Sequence, residues 1–151
     1  MDSGIEQSQN IVIRYAATDE DVVAIHQFLC VVAGPTLPGP IDPKDSSIEV
    51  WRVVNHDVAL MAMRGDLLVG TLGLIRPKFW WGKVWFLANR WFFVLTPKTG
   101  IGKPLLKEGI AIAKASDLEL HIYDENGGRL KVFNKSEKRH VPGQRYKTIT
   151  D

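Results

Sequence analysis

Cysteine is almost absent: Cys30 is the only one in 151 residues. No internal disulfide can form, which suits a reducing compartment. Cys30 falls in an apolar stretch with helical spacing and reads as a buried, inert thiol rather than a nucleophile. Long uncharged apolar runs are also missing. The most apolar stretches are interrupted by Arg64 and Asp66 or by Arg90, and they are too short to span a bilayer. The first ten residues, MDSGIEQSQN, are polar and acidic, unlike a secretory signal. These features predict a cytoplasmic protein with no membrane partner. Nor is charge of one sign in excess: the net charge of +2 does not by itself imply a nucleic-acid partner. There is no internal repeat or low-complexity segment, and no metal site is expected.

What is present is ordinary globular material, 45% hydrophobic and 24% charged, enough for one core. The length predicts a single domain over 11–151 behind a flexible leader, 1–10. From Arg129 to Asp151 there are seven basic residues against two acids, so this tail carries +5 and the remainder −3. Such a tail reads first as a solvated face and second as an anion-binding surface.

Along the chain, Ile11 to Tyr15 alternates as a strand does. Thr18 followed by Asp21 forms an acidic variant of a capping box. Val22, Ile25, Leu29 and Val32 then predict a helix over 19–33. His26 lies on that helix and reads as a structural histidine. Gly34 to Pro40 breaks the helix. A second helix, capped by Asp45, Ser46 or Ser47, is expected to bury Ile48, Trp51 and Val54. Val58–Met63 and Leu67–Ile75 flank Gly65-Asp66 as a hairpin. After a connection over 76–83, Val84–Leu95 reads as a central strand, apolar on both faces. A glycine loop, Lys98-Thr99-Gly100-Ile101-Gly102-Lys103, leads into a helix over 103–116 with Leu106, Ile110 and Ala113 inward. Gly109 and Ala111 allow close packing there, and Pro104 is tolerated in the first turn. Leu118 to Tyr123 is the next strand, Asn126-Gly127-Gly128 a turn, Arg129–Lys135 a short helix and Tyr146–Ile149 a last strand. The fold class is α+β, with a mixed, mostly antiparallel sheet flanked by helices.

Strand, glycine loop and helix together can hold a phosphate, because glycine lets backbone approach and the helix start presents free N–H groups. Two common phosphate motifs fail on spacing. The nucleotide P-loop needs GxxxxGK[ST], but Pro104 follows Gly102-Lys103. The dinucleotide fingerprint needs a third glycine where Leu105 stands.

Several pieces in order resemble the GNAT superfamily of acetyl-CoA-dependent N-acetyltransferases, over roughly 11–149. Ile13-Arg14-Tyr15-Ala16-Ala17-Thr18-Asp19 is similar to the family's opening strand and helix, and Arg64 to Gly70 to its hairpin. Val94 to Leu106 is similar to its cofactor motif, [QR]xxGx[GA] running into a helix. Asn126 and Phe133 stand where the family has an Asn and a Tyr, and Gly143 and Tyr146 fit its last strand. The resemblance implies acetyl-CoA as co-substrate and direct attack by a primary amine. Lys98, Thr99, Gly100, Ile101, Gly102 and Lys103 would hold the pyrophosphate. The backbone of Phe93, Val94 and Leu95 would pair with the pantetheine arm, and Asn126 would complete the set.

Pro97 stands in place of the family's Gln or Arg, Phe133 in place of its tyrosine acid, and Val84–Pro97 contains no carboxylate. Tyr123, or more remotely Tyr146, could supply the acid; His121, Glu49, His56 or Asp57 could supply the base, unless water serves. These departures motivate an alternative, a GNAT-fold binding or assembly component with little or no turnover. Four of the five tryptophans fall within 80–91, with Phe79, Phe86, Phe92 and Phe93 nearby. This Phe79–Phe93 region reads as core packing plus one patch suited to a homo-oligomer or assembly contact, or to an acceptor-binding wall. Stacking on nucleic acid is the least favoured reading.

Overall fold

The computed structural model describes residues 10–77, 82, 85–97, 99–124 and 128–133. Six strands form one sheet in the order β1-β2-β3-β4-β5-β6: β1 (Val12–Tyr15), β2 (Val58–Arg64), β3 (Leu67–Ile75), β4 (Leu87–Val94), β5 (Leu120–Tyr123) and β6 (Arg129–Phe133). All neighbours are antiparallel except β4 and β5. Three helices cover it: α1 (Asp19–Val32), α2 (Pro43–His56) and α3 (Gly102–Ala115). The expected α+β class and mixed, mostly antiparallel sheet are what is found. Among the described residues, no helix is long and apolar enough to cross a membrane.

The sheet is buried on both faces. On one side, Val22 and Ile25 of α1 and Val50, Val53 and Val54 of α2 pack on Ala59, Met61 and Trp91. On the other, Ile101, Leu105 and Ala113 pack on Leu60, Leu72, Leu74, Leu120 and Ile122. Each fully buried leucine in these layers stabilises the fold by roughly 1.5–3 kcal/mol.

Local chemistry sets the boundaries. Thr18 caps α1 through the Asp21 N–H at 3.1 Å, and Asp21 bonds back to the Thr18 N–H, as the spacing predicts. Asp21 does more. It also accepts from Ala17 N–H and takes both terminal nitrogens of Arg14 at 2.8 and 3.1 Å, joining β1 to α1. The Arg14 fork holds its carboxyl far below the ordinary carboxylate range, helped by the Ala17 and Thr18 amides and opposed by burial. The hairpin turn has Gly65 at φ +62° and no positive φ at Asp66, a type II′ pattern that needs glycine in the first position.

Five expectations are corrected. The second helix starts earlier, with Asp42 accepting from Lys44 and Asp45 N–H and Pro43 in its first turn. Its inner stripe is Val50, Val53 and Val54, which leaves Ile48 and Trp51 exposed. The stripe of α3 is rotated by one position, to Leu105, Gly109 and Ala113; Leu106 and Ile110 flank it and Ala111 is exposed. Gly109 sets that rotation, since a Cβ there would meet Leu72 at 3.2 Å. Residues 129–133 are not a helix but β6, paired with β5. Five residues are too few to nucleate a helix when a sheet edge offers four of them a partner. Cys30 is half-buried rather than buried. The expected leader, the 78–81 part of the aromatic turn, the Asn126-Gly127 turn and the last strand at 146–149 lie outside the described residues.

Trp91 explains Gly73. The indole lies across β3 and donates to Thr71 Oγ1 at 2.9 Å, while that hydroxyl donates to Leu60 O at 2.9 Å. A Cβ on Gly73 would come within 2.5 Å of the indole ring. Gly73→Ala must therefore displace a buried ring and its hydrogen bond, and should destabilise by about 1–3 kcal/mol in urea unfolding. Asp21→Asn should cost about 2 kcal/mol at pH 7. Because the folded-state pKa of Asp21 is depressed, its contribution is fully present above the unfolded value of about 3.9. The gap between wild type and Asp21→Asn should close as pH falls below about 4, read from urea midpoints across a pH series.

Candidate functional site

The sheet opens between β4 and β5. Their parallel pairing consists of Leu87 with Leu120 and Ala88 with His121, and goes no further. At the next position the Asn89 side chain replaces the ladder. Its Nδ2 donates to Tyr123 O at 3.0 Å, and its Oδ1 accepts from Tyr123 N–H at 2.7 Å. One amide side chain thus satisfies both backbone groups of Tyr123, and beyond it the strands separate. Arg90 adds a second irregularity. Gly73 faces Trp91 and Leu74 faces Asn89, so Arg90 is an extra residue, a β-bulge on β4.

The separation leaves a cleft of about 340 Å³ lined by Leu37, Asn89, Arg90, Trp91, Phe92, Phe93, Tyr123 and Asp124. One wall is the β4 edge. Leu95 N–H is bonded to Val69 O at 2.7 Å, so by strand alternation Phe93 and Leu95 turn their peptide groups to β3. Phe92 and Val94 turn theirs to the edge that faces the cleft. Of the three backbone positions assigned from the sequence, Val94 alone presents hydrogen-bonding groups there, and Phe92 joins it.

Past β4 the glycine loop turns back onto the sheet. Thr99 Oγ1 donates to Thr96 O at 2.6 Å, and Gly100 takes φ +85°, which favours glycine. Ile101 is buried and anchors the loop against Gly70, where a Cβ would meet it at 3.1 Å. Ile101 is also the N-cap of α3, and no side chain caps this helix. Pro104 has no N–H, so the first-turn donors without an intrahelical partner belong to Ile101, Gly102 and Lys103. The first turn has no acid, and Lys103 is exposed. Lys98 and Asn126 lie outside the described residues.

The candidate acid and base positions are scattered. Tyr123 lines the cleft. His121 is fully buried, 3.0 Å from Glu119 Oε1 and stacked on Phe86 at 4.3 Å, and does not line it. Glu49 on α2 bonds Arg52 and, at 2.7 Å, Nε of Arg90. Arg52, then Arg90, hold its carboxyl below the ordinary range against some desolvation, so it is an ion-pair partner at neutral pH. Asp57 is 3.4 Å from Arg52, and His56 packs edge-on to Trp51. His26 ties the two helices on its face, 2.7 Å from Ser46 Oγ and 3.6 Å from Cys30 Sγ. Phe133 packs with the α3-side core and Lys131, away from the cleft lining. Within the aromatic region, Trp91 and Phe86 are buried, whereas Trp85 is exposed beneath the Arg76 guanidinium at 5.0 Å.

Sequence reasoning missed Asn89, Arg90, Phe92 and Asp124. The only signal was the polar pair Asn89-Arg90 inside an apolar strand, a place where a polar side chain needs a partner.

No protein-family model and no curated protein matches the chain. Solved structures do. A GNAT family acetyltransferase from Staphylococcus aureus subsp. aureus USA300_TCH1516 superposes with a TM-score of 0.58 at 18% identity, over 90% of this chain and 95% of that one. An aminoglycoside 6'-N-acetyltransferase complexed with coenzyme A gives 0.58 at 19% identity, over 74% of this chain and 60% of that one. A ribosomal-protein-alanine N-acetyltransferase from Brucella melitensis biovar Abortus 2308 gives 0.58 at 16% identity, over 73% and 76%. The six-stranded sheet, parted between β4 and β5 and followed by a glycine loop and α3, is the GNAT acetyltransferase fold.

Proposed function

We propose that this chain transfers the acetyl group of acetyl-CoA to a primary amine by direct attack. The observation that carries the reading is the open β4 edge running from the Asn89 junction to the uncapped start of α3. An extended chain of amides can pair with the peptide groups of Phe92 and Val94 as an added strand does. A phosphate at its far end meets the N–H groups of Ile101, Gly102 and Lys103, the helix dipole and the Lys103 charge. This polarity suits coenzyme A, whose pantetheine arm contains amides and ends in pyrophosphate.

At the other end of the cleft, reaction needs charge stabilisation and proton transfer. The peptide of Arg90, the extra residue of the bulge, supplies the N–H for the thioester oxygen as it gains negative charge. The amine nitrogen forms a bond to the thioester carbon, the carbon–sulfur bond breaks, and the thiolate takes a proton. Tyr123 is the phenol lining the cleft and the donor for that proton. Solvent receives the proton lost by the amine, since Glu49 is held ion-paired and His121 is buried. The neighbour bound to coenzyme A supports the choice of co-substrate.

Isothermal titration of the full chain with acetyl-CoA should show saturable binding, and none at millimolar ligand would sink the reading. Lys103→Glu should raise the Kd roughly tenfold, equivalent to about 1.4 kcal/mol. The same substitution puts an acid into the first turn of α3, so urea stability should hold or rise by about 0.3–1 kcal/mol. Opposite signs in the two measurements separate a ligand effect from damage to the fold.

A further inference from the structure

The cleft pairs two opposite charges, and their settings differ. Arg90 lines it from the β4 bulge. The guanidinium is anchored on one side only, with Nε donating to Glu49 Oε2 at 2.7 Å. Glu49 is itself held ionised by Arg52 and Arg90, and the second contact of Arg52 is Asp57 at 3.4 Å. The clamp fixes Arg90 while its Nη1 and Nη2 make no hydrogen bond with the described residues. That end of the guanidinium is the planar fork that matches a carboxylate through two parallel bonds. Asp124 lines the cleft from the end of β5. It is tied by Gly128 N–H to its Oδ1 at 2.8 Å, and its own N–H donates to Gly128 O at 2.8 Å. No lysine and no second arginine lines the cleft among the described residues.

We propose that the acceptor is a small amino-carboxylate, its carboxylate on the Arg90 fork and its ammonium drawn to Asp124. This rests on the acetyl-transfer reading and narrows it. The cleft volume suits a small molecule. A diamine or polyamine would place a cation against Arg90, and that like-charge contact selects against it. Arg90 then has two separate parts: its peptide faces the thioester and its side chain selects the acceptor.

The test uses the full chain with three acceptors of equal length, 4-aminobutyrate, 1,4-diaminobutane and 4-aminobutanol, followed by thiol release from acetyl-CoA. Binding of the same compounds to the protein, with and without coenzyme A, is read by ligand-observed NMR, so a ranking emerges even without turnover. Wild type should prefer the amino-carboxylate over the diamine by at least tenfold. Arg90→Gln should bring that ratio close to one and Arg90→Glu should invert it. Arg90→Lys, which keeps the charge and loses the fork, should retain the order with a smaller ratio. Thermal melts check that each variant folds. Equal or reversed preference in wild type, no binding of any of the three, or an unchanged ratio in Arg90→Gln overturns the inference. Tighter binding of 3-aminopropyl phosphate than of 4-aminobutyrate would also overturn the carboxylate assignment. Ranked binding of the amines with no acetyl-CoA binding would instead overturn acetyl transfer and leave the charge pairing standing.

Discussion

The candidate site in this fold depends on how one parallel strand pair ends. β4 and β5 share two residue pairs, and then the amide of Asn89 takes both backbone groups of Tyr123. Had the ladder continued, Arg90 to Val94 would face β5 and no cleft would exist. Had it stopped without Asn89, the half-buried peptide of Tyr123 would lose two hydrogen bonds at a cost of about 1–3 kcal/mol each. The side-chain amide resolves the conflict because it has the donor and acceptor of a peptide group. It ends the pairing without leaving its last member unsatisfied.

The remaining packing keeps that opening in place. Trp91, the residue after the bulge, is locked through Thr71 to Leu60, so β4 is held to β3 and, through it, to β2. Gly73 gives the indole its space. On the opposite face Gly70 and Gly109 let Ile101, Leu105 and the body of α3 descend onto β3 and β5. That descent brings the uncapped helix start to the end of β4, level with the open edge. Small residues in β3 thus control the two features that the proposed cofactor needs, a free strand edge and a row of free N–H groups.

Much of this was legible in the sequence, for physical reasons that differ by part. The Thr18–Asp21 cap, the Gly65-Asp66 hairpin and the glycine loop are local, and their residue types allow few other conformations. Helix facing was harder. In α2, Ile48, Trp51 and Val54 share one helical spacing and Val50, Val53 and Val54 another; the choice is made by β2 and β4, not by the helix. In α3 the apolar residues are numerous on neighbouring stripes, and the contact of Gly109 with Leu72 decides between them. Arg129–Phe133 is too short for its pattern to reveal a strand without β5 beside it. The cleft was least legible. Asn89 and Arg90 are remote in sequence from Tyr123 and Asp124, and only the topology brings them together.

In the proposed reaction the two halves of the cleft would recognise their ligands by different chemistry. On the proposed reaction, the cofactor half uses backbone: the edge groups of Phe92 and Val94 and the first turn of α3. Any sequence that keeps the glycines, the bulge and the uncapped helix start preserves it, so Pro97 in the loop need not abolish it. The proposed acceptor half uses side chains, so a single substitution there should reverse its preference. Arg90 stands at the junction and belongs to both. Its main chain is fixed by the bulge, whereas its side chain is fixed by Glu49 from a different layer of the fold. The carboxylate of Glu49 therefore acts best as a clamp rather than as a base. Protonating it would release Arg90, and its depressed pKa keeps the clamp charged at neutral pH.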